Sequence, residues 1–313
     1  MKTHEDAERL TPEVVLYCAD LTAAVNFYTG ELGFQIDVIM PADAPRCFAI
    51  SGYGVRIRLE HDTDASPVES PHAGENEWGT GRAGMQYRDL IPGRLGGRFI
   101  ASHICIEKGG PVPDYVHYHR VDFQIIYCYK GWVTVVYEDQ GPPFVMEAGD
   151  CVLQPPHIRH RVLECSDNME VIEVSSPAEH ETLVDHDMKL PTDNVHSDRD
   201  FSGQRFVRYR LDIGDWRTGL YAGFEARDTG IGKATDGLAT VTVIRPTGQA
   251  QATLLKNDDD LFFGFVLRGS ATMQPQDEDP HSIVAGDAFV IAQDGQATLT
   301  ECSKDLELLQ VVS

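Results

Sequence analysis

From residue 99 onward, the chain is dominated by short apolar runs that alternate with polar residues and are separated by turns containing glycine or proline. Successive side chains of a strand point to opposite faces, so such alternation marks a strand with one buried face. Stripes with the spacing of an amphipathic helix are few in this part of the chain. The pattern predicts a mainly β fold built as antiparallel sandwiches or barrels.

Two polar stretches, residues 63–85 and 186–205, are predicted linkers because they hold many charged and turn-forming residues. They separate three blocks, residues 10–62, 86–185 and 206–313. A length of 313 residues fits two or three domains.

The first block predicts the element order βαβββ. A short apolar strand precedes Asp20, which is placed to cap the N-terminus of a helix, and Gly33 is placed to end that helix. Three strand-like runs follow. The apolar stripe of the helix consists of Leu21, Val25, Tyr28 and Leu32.

The family likeness of this block rests on Asp20-Leu21, Phe27-Tyr28 and Leu32-Gly33-Phe34, and on Glu60, which closes the fourth strand. The block resembles one module of the vicinal oxygen chelate (glyoxalase/bleomycin-resistance) superfamily. The resemblance implies one metal ligand at the start of the first strand and another at the end of the fourth, near Glu13 and Glu60. The alternative, which we prefer at this stage, is that both are solvated carboxylates at strand ends.

The second block holds the residues that point to chemistry. His117 and His119 are two positions apart, so on a strand they face the same side. Gln124 follows at a distance that fits a tight turn and a return strand, and His160 begins a later strand. Two imidazoles at close range and a third from a neighbouring strand are how a protein holds a divalent transition metal.

These residues resemble the two motifs of the cupin superfamily. The resemblance covers residues 86–185 and implies a metal-binding barrel with His117, His119, Gln124 and His160 as ligands. The matching positions are Gly110, His117, His119, Gln124, Gly131, Gly149, Pro155 and His160.

Three positions depart from the family pattern. Gly110 lies one residue further from His117 than usual, and His157 stands where a glycine is usual. Gln124 replaces the commoner glutamate, and a neutral amide leaves the site more positive by one charge. Some metal cupins use a His, His, Gln, His set, including the family that opens unsaturated uronates.

Two other histidines lie near the cupin motifs, and each has its own interpretation. His157 lies just before His160 in a turn, and we interpret it as an exposed loop residue. His103 lies in the predicted strand Phe99 to Ile106. It either lines the barrel as a substrate contact or catalytic acid and base, or it is a core histidine with satisfied hydrogen bonds.

The third block resembles a second cupin barrel, so the C-terminal part is similar to a bicupin. Alignment of the turn glycines places Leu255, Asn257, Phe262 and Ala297 at the ligand positions. Leu255, Phe262 and Ala297 have no side-chain atom that binds a metal. Residues 206–313 are therefore predicted to form a degenerate barrel without a metal site.

Charge and cysteine usage restrict the partners and the compartment. Lys and Arg number 26 against 49 Asp and Glu, giving a net charge of −23, which argues against nucleic-acid binding and against docking on anionic membranes. No apolar stretch is long enough to span a bilayer. The 7 cysteines are widely spaced and form no C-x-x-C motif. We expect a cytoplasmic protein without disulfides.

The cupin resemblance implies a metal-dependent enzyme of small-molecule metabolism. We expect a dioxygenase-like oxidoreductase with one divalent metal, Fe(II) first, with Mn, Ni or Zn as alternatives. An O₂-independent isomerase or lyase acting on a sugar acid or related carbonyl compound is a second hypothesis, which Gln124 favours. A non-catalytic sensor of a small molecule is the third.

The first block also leads to an expectation about the oligomeric state. A single βαβββ module leaves one sheet face that must be covered, and related sheets pair two modules. A two-fold homodimer is the simplest closed arrangement that covers such a face.

Overall fold

The computed structural model describes residues 13–62, 78–80, 85–91, 93–218, 220–248 and 252–313. Strands dominate these residues and the helices are short, which confirms the mainly β fold. No helix in this part of the chain is long and apolar enough to cross a bilayer.

The N-terminal unit has the expected order βαβββ. Asp20 accepts a hydrogen bond from the backbone N–H of Ala23 at 2.8 Å, and Gly33 ends the helical segment with a φ of 72°. These local signals are therefore confirmed as helix ends. The elements are β1 (Glu13–Cys18), α1 (Leu21–Asn26), a π-helical turn (Phe27–Glu31), β2 (Gln35–Met40), β3 (Cys47–Gly52) and β4 (Val55–His61).

The middle part of the chain forms two sheets that enclose a common interior, and we call it the first barrel. Its early elements are β5 (Gly79–Thr80), β6 (Met85–Asp89), a helical turn α2 (Arg94–Gly97), β7 (Ile100–Ile106), β8 (Gly110–Pro111), β9 (His117–His119) and β10 (Phe123–Lys130). They are followed by β11 (Trp132–Tyr137), β12 (Phe144–Glu147), β13 (Cys151–Gln154), β14 (His160–Cys165), β15 (Met169–Ser176), β16 (Thr182–Val184), β17 (Asp200–Phe201), β18 (Gln204–Arg205) and β19 (Val207–Tyr209).

The remaining residues form the C-terminal unit, which again consists of two sheets. Its elements are a 3-10 turn (Leu211–Ile213), β20 (Arg217–Thr218), β21 (Phe224–Asp228), α3 (Ile231–Ala234), β22 (Thr240–Pro246), β23 (Thr253–Lys256), β24 (Phe262–Arg268), β25 (Ser270–Pro275), β26 (His281–Val284), β27 (Ala288–Ile291), β28 (Gln296–Thr300) and β29 (Glu307–Val312). The sheet orders are β20-β21-β22-β29-β24-β27 and β23-β28-β25-β26.

Sheet pairing places the block boundaries differently from the sequence. β19, expected in the third block, pairs with β13 of the first barrel. β5 lies within the first predicted linker and β6 begins at the last residue of that linker, and both extend the sheet β19-β13-β10-β15-β7-β6-β5. The second linker contains the hairpin β17-β18. Short polar strands of this kind carry no alternating pattern, so periodicity does not reveal them.

The N-terminal unit continues the other sheet of the first barrel. That sheet has the order β1-β4-β3-β2-β16-β9-β14-β11-β12, with β8 beside β14. The edge of the βαβββ unit, β2, therefore pairs with β16, which in turn pairs with β9. The strand that carries the histidines is thus two strands away from the N-terminal unit.

The two faces of the N-terminal sheet differ in polarity. One face packs under α1, where Ile50 and Leu59 are fully buried. The other face carries ion pairs, such as the one between Arg56 and Glu13 at 3.2 Å. The open face of the described part of the unit is therefore partly charged, and the homodimer stays a prediction.

The first barrel and the C-terminal unit pack sheet against sheet. One core cluster combines Phe123, Ile125 and Ile172 of the first barrel with Phe263 and Phe265 of the C-terminal unit. Alternation along β10 explains this arrangement, because odd-numbered side chains enter this core while Gln124 and Ile126 face the barrel interior. Alternate side chains of β10 therefore line the barrel interior, and the others form the core shared with the C-terminal unit.

Candidate metal centre

Three of the predicted ligands meet inside the first barrel. His117 and His119 share one face of β9, and His160 at the start of β14 pairs directly with His117. The ring centroids are 4.3 Å apart for His117 and His160, and 5.2 Å apart for both pairs that include His119. One ligand nitrogen of each lies within 4.8 Å of the others.

Backbone carbonyls fix the orientation of two of these rings. Nδ1 of His117 donates to the carbonyl of Tyr115 at 2.9 Å, and Nδ1 of His160 donates to the carbonyl of Ile158 at 3.0 Å. Because a carbonyl can only accept, each Nδ1 carries a proton, so in the neutral form of either ring the lone pair is on Nε2. Metal-binding histidines are oriented in this way by outer hydrogen bonds.

His119 is held from the neighbouring strand. Its Nδ1 lies 3.0 Å from the hydroxyl of Thr182 on β16. Burial, reinforced by repulsion from neighbouring histidines, holds the pKa of His119 well below its ordinary value, and the same two causes lower the pKa of His160. Both rings are therefore neutral near pH 7, which is the form that binds a metal.

Gln124 supplies the fourth predicted ligand position. Its side chain is hydrogen-bonded to the carboxyl of Glu173, and its buried Oε1 has no hydrogen-bond partner in the described part of the chain. An unsatisfied buried oxygen costs free energy unless something pairs with it. A cation bound by the three imidazoles would satisfy this atom, so the residues present fit a divalent metal.

The histidines and Gln124 face a cavity of about 450 Å³. Its walls are mainly aliphatic, and its acidic groups are Asp43, Asp114 and Glu173, with no lysine or arginine among the described lining residues. Burial raises the pKa of the Glu173 carboxyl to about 7. The aliphatic side chains that line the cavity include those of Ile104, Ile106, Ile126, Val133, Val135 and Val171.

Part of the first barrel matches a known protein family. Residues 102–175 match the cupin domain family. This stretch therefore has the cupin fold, and we call it the cupin domain. The match lies outside the N-terminal unit, so the resemblance of that unit to the vicinal oxygen chelate superfamily stays a prediction. No curated protein matches the sequence of the whole chain.

Solved structures with the same fold include enzymes. Salicylate 1,2-dioxygenase from Pseudaminobacter salicylatoxidans is 19% identical over 72% of this chain and 75% of its own, with a TM-score of 0.55. Oxalate decarboxylase from Bacillus subtilis, which has Mn(II) centres, is 13% identical over 76% and 75%, with a TM-score of 0.53. Protein Ylba from E. coli is 10% identical over 73% and 82%, with a TM-score of 0.51. Identities this low show a common fold only.

A fourth histidine beside the centre was missed by the sequence reasoning. His180 lines the same cavity as the cupin histidines, and its ring centroid lies 5.5 Å from that of His119. Its Nδ1 donates to the carbonyl of Pro177 at 2.9 Å, and burial lowers its pKa. It falls outside both cupin motifs, and without the strand register nothing in the sequence connects it with His119.

His103 lies outside the cavity of the cupin domain. Its neighbours Ser102 and Ile104 line the cavity, so the His103 side chain points to the opposite face of β7. Arg88 donates to its Nδ1 at 3.0 Å, and its Nε2 donates to Glu170 at 2.8 Å. The structure thus places it as a core histidine with both nitrogens satisfied, away from the site of a substrate contact.

The burial of His103 gives an expected dependence of stability on pH. Burial, followed by the charge of Arg88, lowers its pKa from 6.5 to about 4. Between these values the unfolded chain binds a proton that the folded chain does not, so this stability is present above pH 6.5 and is lost as the pH falls towards 4. We expect the free energy of unfolding to fall by roughly 1.4 kcal/mol per pH unit from this group.

Urea unfolding of the metal-free protein at pH 7 and pH 5 measures this effect. Between pH 7 and pH 5, the free energy of unfolding of His103→Gln should fall by roughly 2 kcal/mol less than that of the wild type. His281→Gln, at an exposed histidine on β26, is the control and should retain the wild-type loss. Equal losses in all three proteins would contradict the assignment.

The other candidate residues lie elsewhere. Glu13 is paired with Arg56 at 3.2 Å and Arg58 at 3.5 Å, and Glu60 is paired with Arg58 at 3.2 Å. They are therefore strand-end carboxylates in ion pairs, as preferred from the sequence. His157 is exposed and lines a separate surface pocket beside Tyr118.

The positions in the C-terminal unit that correspond to the cupin ligands are part of a packed interior. Leu255, Phe262 and Ala297 are buried in its core cluster. The amide of Asn257 donates to the carbonyl of Ile291 at 2.8 Å, so this polar side chain has a structural partner. The histidine group of the cupin domain is the one cluster with metal-ligand spacing in the residues that the structure describes.

Proposed function

We propose that the protein is a metal-dependent cupin enzyme with dioxygenase-like chemistry on an uncharged, largely apolar substrate. The observation that carries the proposal is the group formed by His117, His119 and His160, which opens into an aliphatic cavity. The proposed ligands are these three histidines and Gln124. Fe(II) is the proposed metal, with Mn, Ni or Zn as alternatives.

The chain contributes binding, orientation and exclusion of water. A cavity of about 450 Å³ is in the range of pockets that enclose small molecules. Its aliphatic walls desolvate an apolar substrate body beside the histidines, and the neutral rings leave their Nε2 atoms for a metal. When bound, a divalent metal supplies Lewis-acid chemistry or redox chemistry with O₂.

The charge of the cavity argues against the sugar-acid alternative. A sugar acid carries a carboxylate, and carboxylates are usually recognised by arginine or lysine. The described lining residues include Asp43, Asp114 and Glu173 but neither of those cations, so the proposed metal would be the one positive charge available to a carboxylate there. Gln124 keeps one negative charge out of the ligand set, but it does not supply a cation for a carboxylate. An uncharged substrate therefore fits better.

The proposal is tested by metal analysis and O₂ uptake. Protein purified without added metal should contain about one iron per chain, as expected for one ligand set. It should consume O₂ with at least one uncharged substrate from a panel that includes catechol and pentane-2,4-dione, and not with oxalate or galacturonate. Bound zinc or nickel without O₂ uptake would favour the isomerase or lyase. Tight binding of a panel compound without turnover would favour a sensor.

A further inference from the structure

The N-terminal unit forms part of the wall of the cupin cavity. Ile39 at the end of β2, together with Pro41, Ala42 and Asp43 in the loop that follows, lines the same cavity as the three histidines. Pro41 and Asp43 are buried, and Ala42 is half-buried. A unit that the sequence separates from the cupin domain by a linker therefore reaches the candidate metal centre.

Backbone pairing fixes this wall relative to the histidines. Ile39 pairs with Thr182 across β2 and β16, and Thr182 pairs with His119 across β16 and β9. The hydroxyl of Thr182 also contacts Nδ1 of His119 at 3.0 Å. Two adjacent strand pairings thus connect the wall and one imidazole within a single sheet.

Buried ion pairs hold the loop from the opposite side. Arg94 donates to Asp43 at 2.6 Å and to Asp89 at 3.1 Å, and its side chain is only 18% exposed. Arg94 adopts a left-handed backbone with a φ of 49°, which ordinary residues adopt at a cost. The loop is therefore anchored both by the sheet and by a charged contact to α2.

We propose that residues 39–43 determine the size of the substrate that reaches the histidines. This inference rests on the proposed function, because it takes the cavity to be the substrate site. Ala42 is the smallest side chain of this wall, so it sets how much room is left between the loop and the centre. A larger residue at this position would exclude larger substrates and still admit small ones.

Probe binding to metal-free, full-length protein tests the proposal. The probes are 2-naphthol and phenol, which are uncharged and differ by one ring, and binding is followed by naphthol fluorescence and by calorimetry. Ala42→Trp should weaken 2-naphthol binding at least tenfold. Ala23→Trp, at an exposed position of α1 in the same unit, is the matched control and should bind both probes as the wild type does.

A milder variant separates exclusion from misfolding. Ala42→Leu should weaken 2-naphthol binding several-fold while phenol binding stays within twofold of the wild type. The proposal would be overturned if Ala42→Leu lost the binding of both probes, or if Ala42→Trp bound 2-naphthol as tightly as the wild type. A wild-type protein that binds neither probe would also overturn it.

The measurement does not depend on the metal or on turnover. If the protein contains no iron and takes up no O₂ but the two Ala42 variants behave as expected, the proposed reaction fails and the role of the wall stands. If O₂ uptake is found but Ala42→Trp leaves 2-naphthol binding unchanged, the proposed reaction stands and the role of the wall fails.

Discussion

Replacing His119 with alanine is expected to abolish metal binding. The ring is one of three imidazoles whose ligand atoms lie within 4.8 Å of one another, and it lies between β16 and β14 in the sheet. Loss of an outer hydrogen-bond partner alone weakens metal affinity roughly 10–100-fold, so loss of a ligand should cost more. The measurement is metal content per chain by mass spectrometry after dialysis.

The control for this variant is His157→Ala. His157 is exposed and lies three residues before His160, outside the cavity. It should retain the wild-type metal content, and both variants should keep the circular dichroism of the wild type. A fully loaded His119→Ala protein would place the metal elsewhere in the chain.

The second large effect is expected at the contact between the cupin domain and the C-terminal unit. Phe265 is fully buried, and its ring lies 5.0 Å from that of Tyr129 and 5.7 Å from that of His103. Truncation of a buried phenylalanine leaves a cavity and typically costs about 3–5 kcal/mol. Phe265→Ala should therefore lower the free energy of unfolding by about that amount.

Urea unfolding followed by tryptophan fluorescence measures the cost. Phe27→Ala, at a side chain of the N-terminal unit that is 52% exposed, is the matched control and should lower the free energy of unfolding by less than about 1 kcal/mol. If the two variants lost similar amounts, the sheet-to-sheet contact would contribute little to stability.

Local signals carried much of what the sequence could predict. Asp20 and Gly33 mark the two ends of one helical segment because capping depends on a few neighbouring residues. The pair His117 and His119 shares a face because strand geometry has a period of two. The convergence of His160 with this pair followed from the motif resemblance rather than from local pattern.

Long-range pairing explains what the sequence could not show. The strand β7 is apolar on both faces because one face lines the cavity and the other packs against the C-terminal unit. Alternation in such a strand cannot tell which face is inside, so the orientation of His103 was undetermined. The pairing of β2 with β16 joins distant segments of the chain, and no periodic signal reports it.

The continuous sheet also limits how this chain can be divided. β16 is a three-residue strand whose two neighbours come from the N-terminal unit and from the cupin domain. Removal of residues 13–62 would leave one edge of β16 with unpaired backbone groups, and such an edge invites association with other chains. The βαβββ unit and the cupin domain should therefore unfold as one cooperative body, and a shortened protein without the unit should aggregate.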